Sequence, residues 1–169
     1  AAAMTFDVAQ DSITSADTLT GGSGSSDKLL ITFGGTALDA TDLGSVTGIE
    51  TIEAKTDANG EVTLADANAV SSVLTIDVDA ITTASNTFTL DATAEDDGTI
   101  NYIGSAGIDT VTGSATTATG DTISTGAAAD VITGGAGGDT ITGGAGADTF
   151  TYTAASHSTG TARDSVTDF

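Results

Sequence analysis

Five aspartates, Asp109, Asp121, Asp130, Asp139 and Asp148, share one local grammar. Each follows a turn of small residues and precedes a short segment with a single large apolar residue, here Val111, Ile123, Ile132, Ile141 and Phe150. The last two units are tandem nonapeptides, Gly134-Gly-Ala-Gly-Gly-Asp139-Thr-Ile-Thr142 and Gly143-Gly-Ala-Gly-Ala-Asp148-Thr-Phe-Thr151. In the same register stand Thr125-Gly-Ala-Ala-Ala-Asp130-Val-Ile-Thr133 and Thr116-Thr-Ala118-Thr-Gly-Asp121-Thr-Ile-Ser124, which keep the Asp and lose most glycines. A further copy, Gly104-Ser-Ala-Gly-Ile-Asp109-Thr-Val-Thr112, is offset by Gly113-Ser114-Ala115. The chemistry this spacing offers is hard-cation binding. Calcium takes about six to eight oxygens at roughly 2.3–2.6 Å. One carboxylate per turn, with turn carbonyls such as those of Gly134, Ala136, Gly143 and Ala145, is a ligand set of that type.

Such ligands need elements that turn sharply and stack. Glycine at the first, second and fourth positions permits positive φ and close backbone approach, so that carbonyls can aim inward. The Asp-x-U-x half, with U apolar, reads as a short strand with one buried side chain. The whole unit, G-G-x-G-x-D-x-U-x, resembles the calcium-binding repeat of RTX proteins. In the RTX roll two nonapeptides make one coil, and the resemblance therefore implies that Asp121 stacks on Asp139 along one edge and Asp130 on Asp148 along the other. Two carboxylates about 4 Å apart repel by roughly 4 kcal/mol at an effective dielectric of about 20. An empty roll should open and calcium should close it.

The composition agrees. The 24 acidic residues against three basic ones (Lys28, Lys55, Arg163) leave a net charge of −21, which repels nucleic acid and anionic lipid. With 4% aromatics, no Trp and much of the apolar fraction in Ala, apolar burial alone struggles against chain entropy. Disordered chains share this composition, but the regular placement of the aspartates favours a folded, cation-bound state. The lack of Cys excludes a disulfide framework and thiol chemistry. No apolar run reaches the roughly 18 residues of a membrane span, so no membrane insertion is expected. The start, Ala1 to Asp7, lacks the basic and apolar regions of a signal peptide, and an export address is expected elsewhere.

A looser loop lies near the N-terminus, Asp17-Thr-Leu-Thr-Gly21-Gly22-Ser23-Gly24-Ser25-Ser26-Asp27-Lys-Leu, with one residue too many before Asp27. Asp17 and Asp27 are candidate calcium ligands there, and a simple glycine turn accounts for the same residues. Between the two blocks run alternating segments, Glu50–Ala54, Val62–Asp66, Val73–Val78, Thr87–Asp91 and Thr99–Ile103, with a possible helical turn near Ala65–Val70. Period-two alternation predicts an all-β chain, a parallel β-solenoid or β-roll with calcium-binding Gly/Asp-rich loops. The expected organisation is a solenoid over 1–103 with the RTX-like loop at 17–27, the RTX roll over 104–153, and a terminal loop and strand over 154–169.

The loop Asp17-Thr-Leu-Thr-Gly-Gly, leading through Val46-Thr-Gly-Ile-Glu-Thr-Ile52 into solenoid coils and then nonapeptides, resembles the calcium-binding S-layer proteins of alphaproteobacteria. The terminal Asp164-Ser-Val-Thr-Asp168-Phe169 resembles the strand that follows an RTX roll. The resemblance implies an extracellular, secreted or cell-surface structural protein exported by a type I system. Its expected partners are copies of itself, in a filament or lattice, and a cell-surface polysaccharide. A calcium-rigidified adhesin module, or the non-catalytic repeat region of a secreted RTX protein, is the alternative.

Catalysis is not expected. The single histidine, His157, cannot form the His-Glu-x-x-His pair of a zinc protease. It stands nine residues after Asp148, where the next Asp of the repeat would fall. Ser156 and Ser158 beside it make no triad, and no G-x-S-x-G elbow occurs. Outward Thr pairs such as Thr110/Thr112, Thr140/Thr142 and Thr149/Thr151 resemble the arrays of ice-binding solenoids, but Ser124 and Val131 interrupt them, and Thr is a common solvent-facing strand residue.

Overall fold

The computed structural model describes residues 2–22, 26–34, 37–69, 72–117, 119–154, 157–158, 160 and 162–168. Ser23, Gly24, Ser25, Val70, Ala118, Ser156 and Phe169, all singled out above, lie outside the described residues. The strands are β1 (Thr5–Ala9), β2 (Leu19–Thr20), β3 (Lys28–Thr32), β4 (Val46–Thr47), β5 (Thr51–Ala54), β6 (Gly60–Thr63), β7 (Val73–Asp77), β8 (Thr87–Asp91), β9 (Thr99–Ser105), β10 (Ile108–Thr112), β11 (Thr122–Gly126), β12 (Val131–Thr133), β13 (Thr140–Thr142), β14 (Thr149–Phe150) and β15 (Ser165–Val166). A 3₁₀ turn (Gln10–Ser12) and one short helix, α1 (Ala40–Leu43), interrupt them.

Every named strand pairing is parallel, and the chain winds as a solenoid. The odd strands from β1 to β15, without a break, make an eight-stranded sheet when taken in the order β1-β3-β5-β7-β9-β11-β13-β15. The second sheet is β14-β12-β10-β8-β6, and β2-β4 form a short third side. Register stacks like residues through the molecule. Phe6, Leu29, Ile52, Ile76, Tyr102, Ile123, Ile141 and Val166 follow one another in the first sheet. Val62, Leu90, Val111, Ile132 and Phe150 do so in the second. The rungs alternate inward apolar residues with an outward face rich in Thr, Asp and Glu, which also carries Val73, Ile103 and Val131.

Coil size changes along the axis. Successive turns place equivalent residues 23 apart near the N-terminus, 21 apart entering the repeats and 18 apart within them. The larger N-terminal turns have room for β2, β4 and α1. Asp39 and Asp42 cap α1 in a reciprocal box, which buries Leu43. Polar staples also join these turns. Asn68 Nδ2 donates to the Leu43 and Val46 carbonyls (3.0 and 2.8 Å), and Asp57 accepts from Thr82, Thr83 and Asn86. The Thr83 hydroxyl and main-chain N–H, foremost among these donors, hold the Asp57 carboxyl down to about 2.

Three local expectations change. The Ala65–Val70 segment forms no helix among its described residues: Asn68 closes a turn onto Ala65 and staples the coils. The Val62–Asp66 strand starts earlier, as β6 at Gly60, where a side chain would run into the Phe33 and Phe88 rings. Phe150 is only half-buried, since among the described residues β14 lies at the end of its sheet. β9 runs through the boundary drawn between residues 103 and 104, and both sheets continue across it.

Candidate metal centre

The residue before each repeat strand stands in a column, one per edge of the roll. On the first edge the Asp121 N–H donates to Asp139 Oδ1 (2.8 Å), and Asp121 Oδ1 itself accepts from Ile100 N (2.8 Å). On the second, Asp109 N donates to Asp130 Oδ1 (2.8 Å) and Asp130 N to Asp148 Oδ1 (3.1 Å). The pairs Asp121/Asp139 and Asp130/Asp148 are thus the 18-residue neighbours that two nonapeptides per coil require.

One oxygen of each carboxylate ties two coils together, and the other turns into its own loop. Gly134 shows why the first repeat position is glycine: a Cβ there would sit 2.3 Å from Asp139 Oδ2. In the loops that begin at Thr125, Gly134 and Gly143 the second and fourth positions take left-handed backbone. Gly126, Gly135 and Gly144 have φ of 99, 100 and 90°, and Gly137 and Gly146 have 112 and 151°. Ala128 takes the fourth position of its loop at φ 83°, which costs roughly 1–2 kcal/mol for an L-residue. Ala136 N and Ala145 N donate to the Ser114 and Gly126 carbonyls of the adjacent coil (3.0 and 2.9 Å). Gly143 O accepts from Thr125 Oγ1 (2.9 Å).

The inner oxygens fall into two groups. Two carboxylates are satisfied by the main chain and hydroxyl of a serine: Ser105, at the second position of its repeat, donates twice to Asp109, and Ser114, in the offset before the next repeat, donates twice to Asp121. The loops of Asp130 and Asp139 carry glycine at the second position and no such hydroxyl, and Oδ2 of both is buried without a partner. Burial, before any neighbouring charge, pushes the Asp139 carboxyl up to about 7 and that of Asp109 to about 6, and raises Asp121 and Asp130 as well. Beside Asp109, the hydroxyl of the wholly buried Tyr102 faces the carboxylate and works against that rise.

Orphaned carboxylate oxygens in a stack of inward-turned loops fit a hard divalent cation. The only ion pairs among the described residues, Lys28–Glu53 and Lys55–Asp7, lie in the N-terminal coils. Among the described residues no three His, Cys, Asp or Glu side chains converge on one point. A cation would draw on carboxylates in pairs and on loop carbonyls for the rest, and would supply the positive charge that the columns lack.

Sequence reasoning missed three acidic residues that extend or cap the columns. Asp164 Oδ1 accepts from Asp139 N (3.0 Å), and Asp168 accepts from Gly143 N and Gly144 N (2.9 and 2.8 Å). Glu50 Oε2 accepts from Asp27 N (2.7 Å). Asp164-Ser-Val-Thr and Glu50-Thr-Ile keep the acidic-x-apolar half of the repeat, and that half was the available signal.

Asp27 is fully buried in the same column, but both of its oxygens take main-chain donors, Met4 N (2.7 Å) and Gly22 N (2.5 Å). Asp17 stands outside it. It is exposed and caps the turn at Thr14 (3.0 Å). His157 is half-buried on a cleft of about 330 Å³ beside Thr93, Thr133 and Thr153, and Ser158 Oγ accepts from Asp164 N (2.9 Å).

Asp139→Ala should weaken cation binding along the Asp121 edge by at least tenfold while the Asp130/Asp148 edge stays near wild type, since loss of a charged ligand costs about 1.5–3 kcal/mol. Calcium titration calorimetry reads both. A cation bridging Asp130 and Asp139 in a calcium-soaked crystal would show the coil pairing to be wrong.

Residues 116–150 match the family described as the RTX calcium-binding nonapeptide repeat, in four copies. No curated protein and no solved structure matches the chain. The matched repeats and the parallel solenoid together make this segment an RTX β-roll, and its repeats are calcium-binding. No helix of the described residues is long and apolar enough to cross a membrane.

Proposed function

We propose that the chain is an extracellular structural module that calcium folds and then assembles, copy onto copy, into a filament or a two-dimensional lattice. The observation that carries this reading is the geometry of the sheet ends. Among the described residues β1 and β15 are the outermost strands of the eight-stranded sheet, and β14 ends the five-stranded one. An outer strand of a parallel sheet offers a row of N–H and C=O groups to a strand from a second copy. Next to β14, Asp148, Asp168 and the half-buried Phe150 border an open cleft of about 250 Å³ that a further loop can fill. Calcium held there screens the repulsion between two chains that each carry −21.

Secretion fits the repeats, which are typical of secreted proteins and load where calcium is abundant. The S-layer likeness of the Asp17–Gly22 and Val46–Ile52 segments supports a surface lattice, with a cell-surface polysaccharide as its anchor. A roll of this kind works as a scaffold and not as a catalyst. Light scattering and sedimentation across a calcium titration test assembly, with circular dichroism on the same sample to establish folding. Particle mass should rise once the roll is folded. A calcium-loaded, folded chain that stays monomeric at high concentration and in electron micrographs would replace this reading with that of a rigid adhesin module.

A further inference from the structure

We propose that the coil beyond the nonapeptides carries a divalent-cation site of its own, between Asp139 and Asp164, with Tyr152 on its flank. The proposal rests on the calcium-binding reading of the roll and extends it to residues outside the matched repeats. β15 pairs with β13 through Thr140↔Ser165 and Ile141↔Val166, which sets Asp164 beside Asp139 in the first column. The Asp139 N–H donates to Asp164 Oδ1 at 3.0 Å, repeating the Asp121-to-Asp139 contact at 2.8 Å. The Ser158 hydroxyl accepts the Asp164 N–H (2.9 Å) and fixes the approach of the closing strand.

The second oxygens of this pair mark the ligand. Asp139 is 1% exposed, and Oδ2 of both Asp139 and Asp164 is buried with no hydrogen-bond partner. Arg163, the adjacent base, turns its Nε to the Gly160 carbonyl (3.0 Å). Two neighbouring anionic oxygens shut off from water, with a neutral phenol beside them and no ion-paired base among the described residues, leave a place for positive charge. Carboxylate and carbonyl oxygens without imidazole or thiolate select a hard cation of the calcium class. The glycine half of the repeat is missing from residues 151–163, yet Asp164-Ser-Val-Thr keeps the half that supplies carboxylate and strand.

Tyr152 makes the site readable. Its phenol pKa is raised by burial and then by the Asp164 carboxylate beside it. The chain has two tyrosines and no tryptophan, so tyrosine-sensitised terbium emission arises from Tyr102 or Tyr152. The intact chain, stripped of calcium on a chelating resin, is titrated with calcium by calorimetry and with terbium(III) by luminescence. Asp164→Asn keeps Oδ1 as the acceptor for Asp139 N and should bind one calcium ion fewer than the wild type. Tyr152→Phe should lose the part of the emission that Tyr102→Phe keeps. An Asp164→Asn chain that binds as many ions as the wild type overturns the proposal. Should that variant fail to fold, undiminished emission from Tyr152→Phe overturns it instead. A wild-type chain that binds no calcium at all overturns the roll reading beneath it.

Discussion

Stripping calcium should dissolve the C-terminal coils, from about residue 104 onward, and leave the coils before them wound. The two parts of the solenoid differ in what they bury. Leu29, Ile31, Leu38, Leu74, Ile76, Phe88, Leu90 and Tyr102 fill the earlier coils at 0–1% exposure. The later coils bury Val111, Ile123, Ile132 and Ile141, and with them Asp109, Asp121, Asp130 and Asp139. A buried aliphatic side chain contributes about 1.5–3 kcal/mol, and a buried carboxylate left unpaired costs several kcal/mol. In the repeats Asp130 and Asp139 keep an oxygen without a partner and Asp109 and Asp121 are buried charges as well, so the two terms largely cancel and leave little against roughly 1–2 kcal/mol per residue of backbone entropy. A ligand that binds only the folded roll adds about 2.7 kcal/mol per site at a hundredfold excess over Kd, and several stacked sites restore the balance. In chelator the β circular dichroism should fall by a part and not entirely, and hydrogen exchange should show amides of 104–168 unprotected while those of 28–102 hold. A chain whose repeats stay protected without calcium sinks this account.

That division was only half legible in the sequence. The nonapeptides announce both their turns and their edges, because glycine and aspartate have to stand at fixed positions for the loops to stack; the 18-residue pairing then follows from winding two units per coil. The strands before them show in the alternation of Thr, Val, Ile and Leu, as at Thr87–Asp91, which is β8. What joins those earlier coils does not show. Asn68 and Asp57 act through main-chain groups two dozen residues away, and no local pattern encodes such a partner. The capping box of α1 rests on Asp39 and Asp42 alone. Asp164 is hard to read because its loop carries no glycine run: it keeps the half of the repeat that supplies the ligand and lacks the half that turns the chain. The local pattern that buries Ile141 also places Phe150 inward, and its place at the end of the sheet leaves it half-buried.

The calcium-free chain should become less stable as pH rises from about 4 to 7, and the calcium-loaded chain should do the opposite. Burial lifts the Asp139 carboxyl to about 7 and the Asp109 carboxyl to about 6, and raises Asp121 and Asp130. For a carboxylate raised above its unfolded value of about 3.9, the folded state holds the proton more tightly than the unfolded one. Its stabilising effect is therefore complete below that value and is lost as pH climbs through the folded value. Each such group changes stability by at most about 1.4 kcal/mol per pH unit across its window, and the buried pairs act together. Asp57, held down to about 2, has the opposite sign but acts only below about 4. Calcium reverses the slope because its ligands must be ionised, so protons compete with it and affinity grows with pH. Thermal melts from pH 4.5 to 8, in resin-stripped buffer and again in excess calcium, should give two curves that cross. General relief of the −21 charge also favours the acid side, and Asp139→Asn separates the two causes: it removes one titrating buried group while leaving the surface charge almost intact, and so should flatten the metal-free slope. Parallel curves with and without calcium, or a metal-free slope that Asp139→Asn leaves untouched, would mean that the buried columns do not govern the stability of the roll.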